Sequence, residues 1–226
     1  TTTTKMLPLS HNADAPAYEL PNLSRHKQKR IYPYYSAKVS EFQTFYSRNA
    51  CGQAAMLTML TYWGKWRSKL PFDDQFKIFY INSKTKPDMA LLGLLGTSVE
   101  RLRDTLLGYG LRAWGFNSQR NHVNLRRGKL NWLQSFVVRG YPVAVILDLG
   151  LMTGDWQAHW AVVVGIHVPK GKIYVANFTP GDRLLGAVVD RHGVVEFDID
   201  VFMQGWMANI IKIATIHYAA VIAAPL

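Results

Sequence analysis

His159-Trp160-Ala161-Val162-Val163-Val164-Gly165-Ile166 is the stretch on which the fold reading turns. It is a continuous apolar run of strand length, rich in β-branched residues, and it follows a polar Gly154-Asp155-Trp156-Gln157 segment. Such a run reads as a strand buried on both faces. Pro142 to Leu149 is a second one. Lys172 to Phe178 alternates, with Ile173, Val175 and Asn177 on one face. Val194 to Phe197 reads as a short strand, Ile199 to Trp206 as a short helix, and Ile211 to Ala223 as a long final strand. Upstream the period changes. Ala50 to Trp63 places Met56, Leu57, Met59, Leu60 and Trp63 at helical spacing and stops at Gly64. Thr97 to Leu107 is a second helix, which Thr97 or Ser98 can cap, with Glu100 three residues after Thr97 as in a capping box. Leu130 to Arg139, stopped by Gly140, is a third. Helices first and strands later give an α+β fold, a helical N-terminal half packed on a mostly antiparallel sheet.

The size fits that reading. The 226 residues make one domain of ordinary length plus an arm, and 49% apolar against 18% charged residues supports a full core. Residues 1–36 read as a flexible basic N-terminal arm: low-complexity Thr1–Thr4, three scattered prolines, then Arg25-His26-Lys27-Gln28-Lys29-Arg30. The plain reading is a solvated arm; the sharper one is an anchor onto an anionic partner. The globular domain spans 37–226. The net charge of +11 suits nucleic acid, anionic lipid, wall polymer or acidic peptide without choosing among them. Nucleic acid is not expected, because no helix-turn-helix, zinc-finger or RNP pattern accompanies the charge. One Cys excludes an internal disulfide and a Cys-rich zinc site. The seven His are scattered, no Gly-rich phosphate loop follows a strand, and no cofactor is expected. The apolar tail from Ile210 carries Lys212 and His217 and reads as a strand, so no transmembrane segment is expected. Thr1 to Leu20 lacks the apolar core of a signal peptide, and the chain does not open on Met. A processed bacterial protein of the exterior or cell envelope is expected over a cytoplasmic one.

Four residues carry candidate chemistry. Cys51 opens the first helix, where free N–H groups and the helix dipole favour a thiolate. Gly52 beside it leaves room for a substrate to approach the sulfur. His159 starts its strand and can serve as general base and acid; His167, at the far end, is a decoy. Asn177 on the next strand can accept the Nδ1–H of His159 and fix its tautomer, and Asp182 competes for that role. Gln43 can join the Cys51 N–H in an oxyanion hole, with Asn49 as another amide near the sulfur. Trp156 and Trp160 flank His159 as walls, while Trp63 reads as core.

In this order, Cys51-Gly52-Gln53-Ala54-Ala55, His159-Trp160-Ala161-Val162-Val163-Val164-Gly165 and Asn177-Phe178-Thr179-Pro180-Gly181 resemble a papain-like cysteine peptidase, and within that group the bacterial peptidase C39-like families. Gly96-Thr97-Ser98-Val99, Gly108-Tyr109-Gly110-Leu111 and Gly140-Tyr141-Pro142-Val143 follow the same pattern, so the likeness runs from about Gln43 to Gly181. The C39-like families usually carry Asp where Asn177 stands, whereas papain itself carries Asn, and the Gln43-to-Cys51 spacing is longer than the usual one. The resemblance implies a papain-like fold and cleavage of peptide bonds in a peptide or protein substrate, through a Cys-His-Asn triad and a thioester. The resting pair would be Cys51 thiolate and His159 imidazolium. The same triad supports acyl transfer, transpeptidation or deamidation, and the same scaffold could serve as a non-catalytic binding protein. Leader processing beside a transporter is not carried over, since no transporter segment is read in the chain.

Overall fold

The computed structural model describes residues 18–19, 51–66, 97–118, 126–150, 158–178, 181, 183–190, 193–207 and 217–226. Most of the expected arm, Gln43, Asn49, Trp156 and Asp182 lie outside them. Four helices are described: α1 (Cys51–Tyr62), α2 (Val99–Gly108), α3 (Arg126–Val138) and α4 (Ile199–Met207). The strands are β1 (Tyr18–Glu19), β2 (Leu111–Ser118), β3 (Val143–Asp148), β4 (Ala158–His167), β5 (Lys172–Ala176), β6 (Arg183–Leu184), β7 (Ala187–Val188), β8 (Val194–Asp198) and β9 (His217–Pro225). Helices pack on an antiparallel sheet, as the sequence order implies.

The sheet runs β2-β9-β3-β4-β5-β8, with β1 added along β4 and a separate β6–β7 hairpin. Every pairing is antiparallel. Tyr18 and Glu19, inside the segment read as an arm, pair with Ile166 and Gly165. The HWAVVVGI run is β4, buried from His159 to Ile166. Its depth follows from its place: β3 and β5 flank it, and helices cover both of its faces. The two faces can be told apart at β2, where neighbouring residues point opposite ways. A Cβ on Gly115 would fall 2.7 Å from Val99 Cγ1 of α2, whereas the Phe116 ring meets Trp132 of α3 at 5.0 Å. So α1 and α2 cover one face, α3 and α4 the other. The second layer is tied by aromatics: Trp132 meets Trp206, and the buried Trp206 donates its indole N–H to Ala219 O at 3.0 Å.

Several local expectations change. Ser98, not Thr97, caps α2: its Oγ accepts from Arg101 N at 3.2 Å. Glu100 is then the second residue of the helix, and the capping box does not form. Helix α3 begins at Arg126, so the Arg126–Lys129 basic run is a first helical turn; Lys129 Nζ lies 5.6 Å from the Tyr218 ring centre. Strand β2 had no alternation strong enough to read, because Trp114 and Phe116 leave their polar-looking side half exposed while Gly115 interrupts the buried side. Strand β9 begins at His217 among the described residues and inserts between β2 and β3. Strand β5 ends at Ala176, two residues earlier than its alternation suggests.

The Gly115 contact is testable. Gly115→Ala should destabilise the protein by about 1–3 kcal/mol, the usual cost of overpacking. Combining it with Val99→Ala should recover part of that loss in a thermodynamic cycle read by denaturant unfolding. Additive losses would mean the two residues do not press on each other.

Candidate active site

Helix α1 presents the site. From Cys51 to Thr61 every residue is buried, so this helix is enclosed all round rather than amphipathic. Cys51 is its first residue and keeps 7% exposure. Trp63 and Trp66 lie at the other end, about 18 Å along the axis from Cys51. There Trp63 packs on Tyr62 and Tyr141, and Trp66 on Tyr109. Trp63 is thus a packing residue, as its spacing suggests. At Gly52 the missing side chain is taken up by the fold itself. A Cβ there would fall 2.5 Å from both Cβ and Oγ1 of Thr97, so Gly52 lets the segment before α2 close on α1.

Trp160 is the socket. Its indole donates to Thr97 O at 2.7 Å, which places its side chain on the α1–α2 face. His159 therefore leaves β4 on the opposite side. Main-chain N–H and C=O of one strand residue point to the same edge. At Trp160 that edge faces β5, but β5 pairs with β4 no further than Ala176 opposite Val162. Both groups would be orphans in a buried place. The Trp160 C=O accepts from Asn177 Nδ2 at 2.7 Å, and its N–H points at the Cys51 sulfur, together with those of Gly52 and Cys51.

Asn177 is the junction. It leaves the ladder at φ 84°, in the left-handed region that Asn enters more easily than most residues. This turn removes it from the Ile173–Val175 alternation. Fully buried, its amide nitrogen also donates to Cys51 O at 3.0 Å, so one side chain joins the start of α1 to the start of β4. The His159 ring meets the main-chain oxygen of Asn177, not its side chain, at 2.8 Å from Nε2. A carbonyl only accepts, so Nε2 carries the proton and Nδ1 is the basic nitrogen. The sequence reading had the opposite tautomer and a side-chain acceptor. Phe178 then lies over the imidazole, ring centres 4.8 Å apart and planes 31° apart. His167 ends β4, eight residues from His159, apart from this cluster.

Burial decides the protonation states. It pushes the Cys51 thiol up, and the N–H groups of Trp160, Gly52 and Cys51 oppose that without reversing it. It pushes His159, 2% exposed, down to about 4, with the Asn177 carbonyl opposing. Both shifts favour the neutral forms, thiol and imidazole, over the expected ion pair. Main-chain groups of Cys51, Trp160 and Asn177, met by the Asn177 amide and the His159 ring, bring the four residues together. Two neighbours had no sequence signal as site residues: Thr97, read as a cap, and Phe178, read as part of a turn. Among the described residues, no group of three His, Cys, Asp or Glu side chains could hold a metal ion, and no helix is long and apolar enough to cross a membrane.

No family model matches the chain, and no curated protein matches it. Among solved structures it is similar to the crystal structure of a double glycine motif protease from an AMS/PCAT transporter in complex with the leader peptide. The identity is 14% over 78% of this chain and 84% of that one, with a TM-score of 0.43. What the site can do rests on its own contacts.

Two measurements probe this geometry. His159 has a folded value near 4 against an ordinary 6.5. Above pH 6.5 it is neutral in both folded and unfolded chains. As pH falls toward 4 only the unfolded chain takes up the proton, so stability is lost by about 3 kcal/mol across that window. His159→Gln should flatten that part of the pH–stability curve; an unchanged slope would place the acid sensitivity elsewhere. Asn177→Gly keeps the positive φ and the main-chain oxygen but drops the amide bridge. Its expected cost is about 2–4 kcal/mol in denaturant unfolding, for two lost hydrogen bonds that leave buried carbonyls unpaired.

Proposed function

We propose that this chain is a cysteine peptidase of papain-like arrangement, with residues 37–226 as its catalytic domain and 1–36 as a basic arm that lends Tyr18–Glu19 to the domain's sheet. The observation that carries the reading is the double use of Asn177. Its carbonyl holds the His159 ring, and its amide holds the start of α1, which bears the sulfur, against the neighbouring Trp160.

The chemistry follows from these positions. The substrate is a peptide or protein whose scissile carbonyl is brought to Cys51. Sγ forms a bond to that carbon while Nδ1 of His159 takes the thiol proton, so the charged pair arises during attack rather than at rest. The main-chain N–H groups at the start of α1 face the developing oxyanion, with Gln43 as the further donor expected from the sequence. The imidazolium gives its proton to the leaving amine as the C–N bond breaks. Water, deprotonated by the same Nδ1, then releases the acid from the thioester. Asn177 keeps the ring in one tautomer throughout. An amine in place of water would turn the same steps into acyl transfer.

One observation favours a second reading, a non-catalytic protein on this scaffold: sulfur and imidazole are both buried and neutral at rest. Iodoacetamide alkylation of Cys51 from pH 4 to 10, alongside cleavage of unfolded casein, separates the two. In the resting protein the alkylation rate should rise only above the ordinary thiol range. Casein cleavage should vanish in Cys51→Ala and fall at least 100-fold in His159→Ala, both still folded by circular dichroism. Cleavage that survives Cys51→Ala would overturn the peptidase reading. No cleavage by the wild type, with alkylation indifferent to His159, would favour the scaffold reading.

A further inference from the structure

Thr97 holds a buried hydroxyl without a partner. The residue is 2% exposed, and its Oγ1 has no hydrogen bond among the described residues. Native proteins leave few buried polar atoms unpaired, and a missing bond at a buried hydroxyl is costly. Valine would fill the same space without that cost. The hydroxyl is not there to cap α2, because Ser98 does so.

Its position suggests its use. Oγ1 lies 2.5 Å from where a Gly52 Cβ would stand, and therefore within about 4 Å of Gly52 Cα. Gly52 is the residue whose N–H, with that of Cys51, points at the sulfur. The residue is fixed from both directions: its carbonyl accepts the Trp160 indole, and Ser98 after it is locked as the α2 cap. A hydroxyl proton turns about its C–O bond to meet an acceptor that arrives. The absence of a side chain at Gly52 brings this donor beside the N–H groups at the start of α1.

Resting on the cysteine acyl chemistry above, we propose that Thr97 Oγ1–H is a hydrogen-bond donor to the oxygen of the acyl group on Cys51, working with the main-chain N–H groups of Cys51 and Gly52. Its partner is the substrate's oxygen, which becomes a strong acceptor only as the tetrahedral intermediate forms. Thr97 is then a catalytic residue, and its unpaired state in the resting fold is a preorganised one.

The test compares two reactions of the same sulfur in the full chain. p-Nitrophenyl acetate acylates Cys51: the S–C bond forms, the ester C–O bond breaks, p-nitrophenolate leaves, and the thiol proton passes to His159. An oxyanion develops on the way. Iodoacetamide alkylates the same sulfur by displacing iodide, with no oxyanion. Cys51→Ala supplies the blank for other nucleophiles. Thr97→Val and Thr97→Ala both remove the hydroxyl, one keeping the packing and the other not; Thr97→Ser keeps the hydroxyl and drops the methyl. The ratio of acylation to alkylation should fall about 100-fold in Thr97→Val and Thr97→Ala and stay within a few-fold of wild type in Thr97→Ser. The Tm of Thr97→Val should rise by about 2–4 °C while its acylation falls. An unchanged ratio in the two hydroxyl-free variants, or an equal fall in Thr97→Ser, would overturn the proposal in favour of packing alone. A wild-type sulfur that is alkylated but never acylated would instead remove the acyl chemistry itself.

Discussion

The left-handed turn at Asn177 is the constraint on which the site depends. Had β5 continued its ladder past Ala176, its main chain would have claimed the N–H and C=O of Trp160. By turning at φ 84°, Asn177 frees that edge and fills half of it with its own amide. The other half is left to a sulfur. The same turn aims a carbonyl at His159 and lets a single side chain reach Cys51 O. Three segments far apart in sequence are thereby registered to one another, each through a main-chain group. Such registration is insensitive to which rotamers the surrounding side chains adopt. It also explains why a peptidase-like order of residues can coexist with contacts unlike those the order suggests.

Burial is the second determinant. Helix α1 is wrapped on all sides, so its first residue cannot be both well packed and well hydrated. The helix dipole and three N–H groups favour a thiolate, yet desolvation outweighs them. The imidazole, under Phe178, is subject to the same imbalance with opposite sign. Both effects favour the neutral forms.

The sequence made the sheet legible wherever strands were buried on both faces. The β4 run and its neighbour β3 needed no context, since only a doubly covered strand tolerates such unbroken apolar content. The helices were found by their period and stops, with ends off by at most four residues. Strand β2 was hidden because Gly115 is small for the sake of Val99, a demand that belongs to another element. The positions of two candidate residues were legible, Cys51 at a helix start and His159 near a strand start. Their wiring was not. Whether Asn177 offers its side chain or its main chain depends on one dihedral angle, and the Gly52–Thr97 contact spans a gap in sequence with no periodic trace.

The placement of β9 has a consequence for how the molecule comes into being. This strand, His217–Pro225, lies between β2 and β3, and among the described residues it is the strand that joins β2 to the rest of the sheet. On a ribosome the chain emerges in order, and more than a hundred residues separate Cys51 from the strand that receives its sulfur. The Thr97 segment, which closes on Gly52, is anchored through α2 and β2 to a strand synthesised later still. A nascent chain therefore exposes Cys51 before the packing that later buries it has formed. Non-local pairing of this kind is slow to close, and it leaves the sulfur open to oxidation or to a folding helper during that interval.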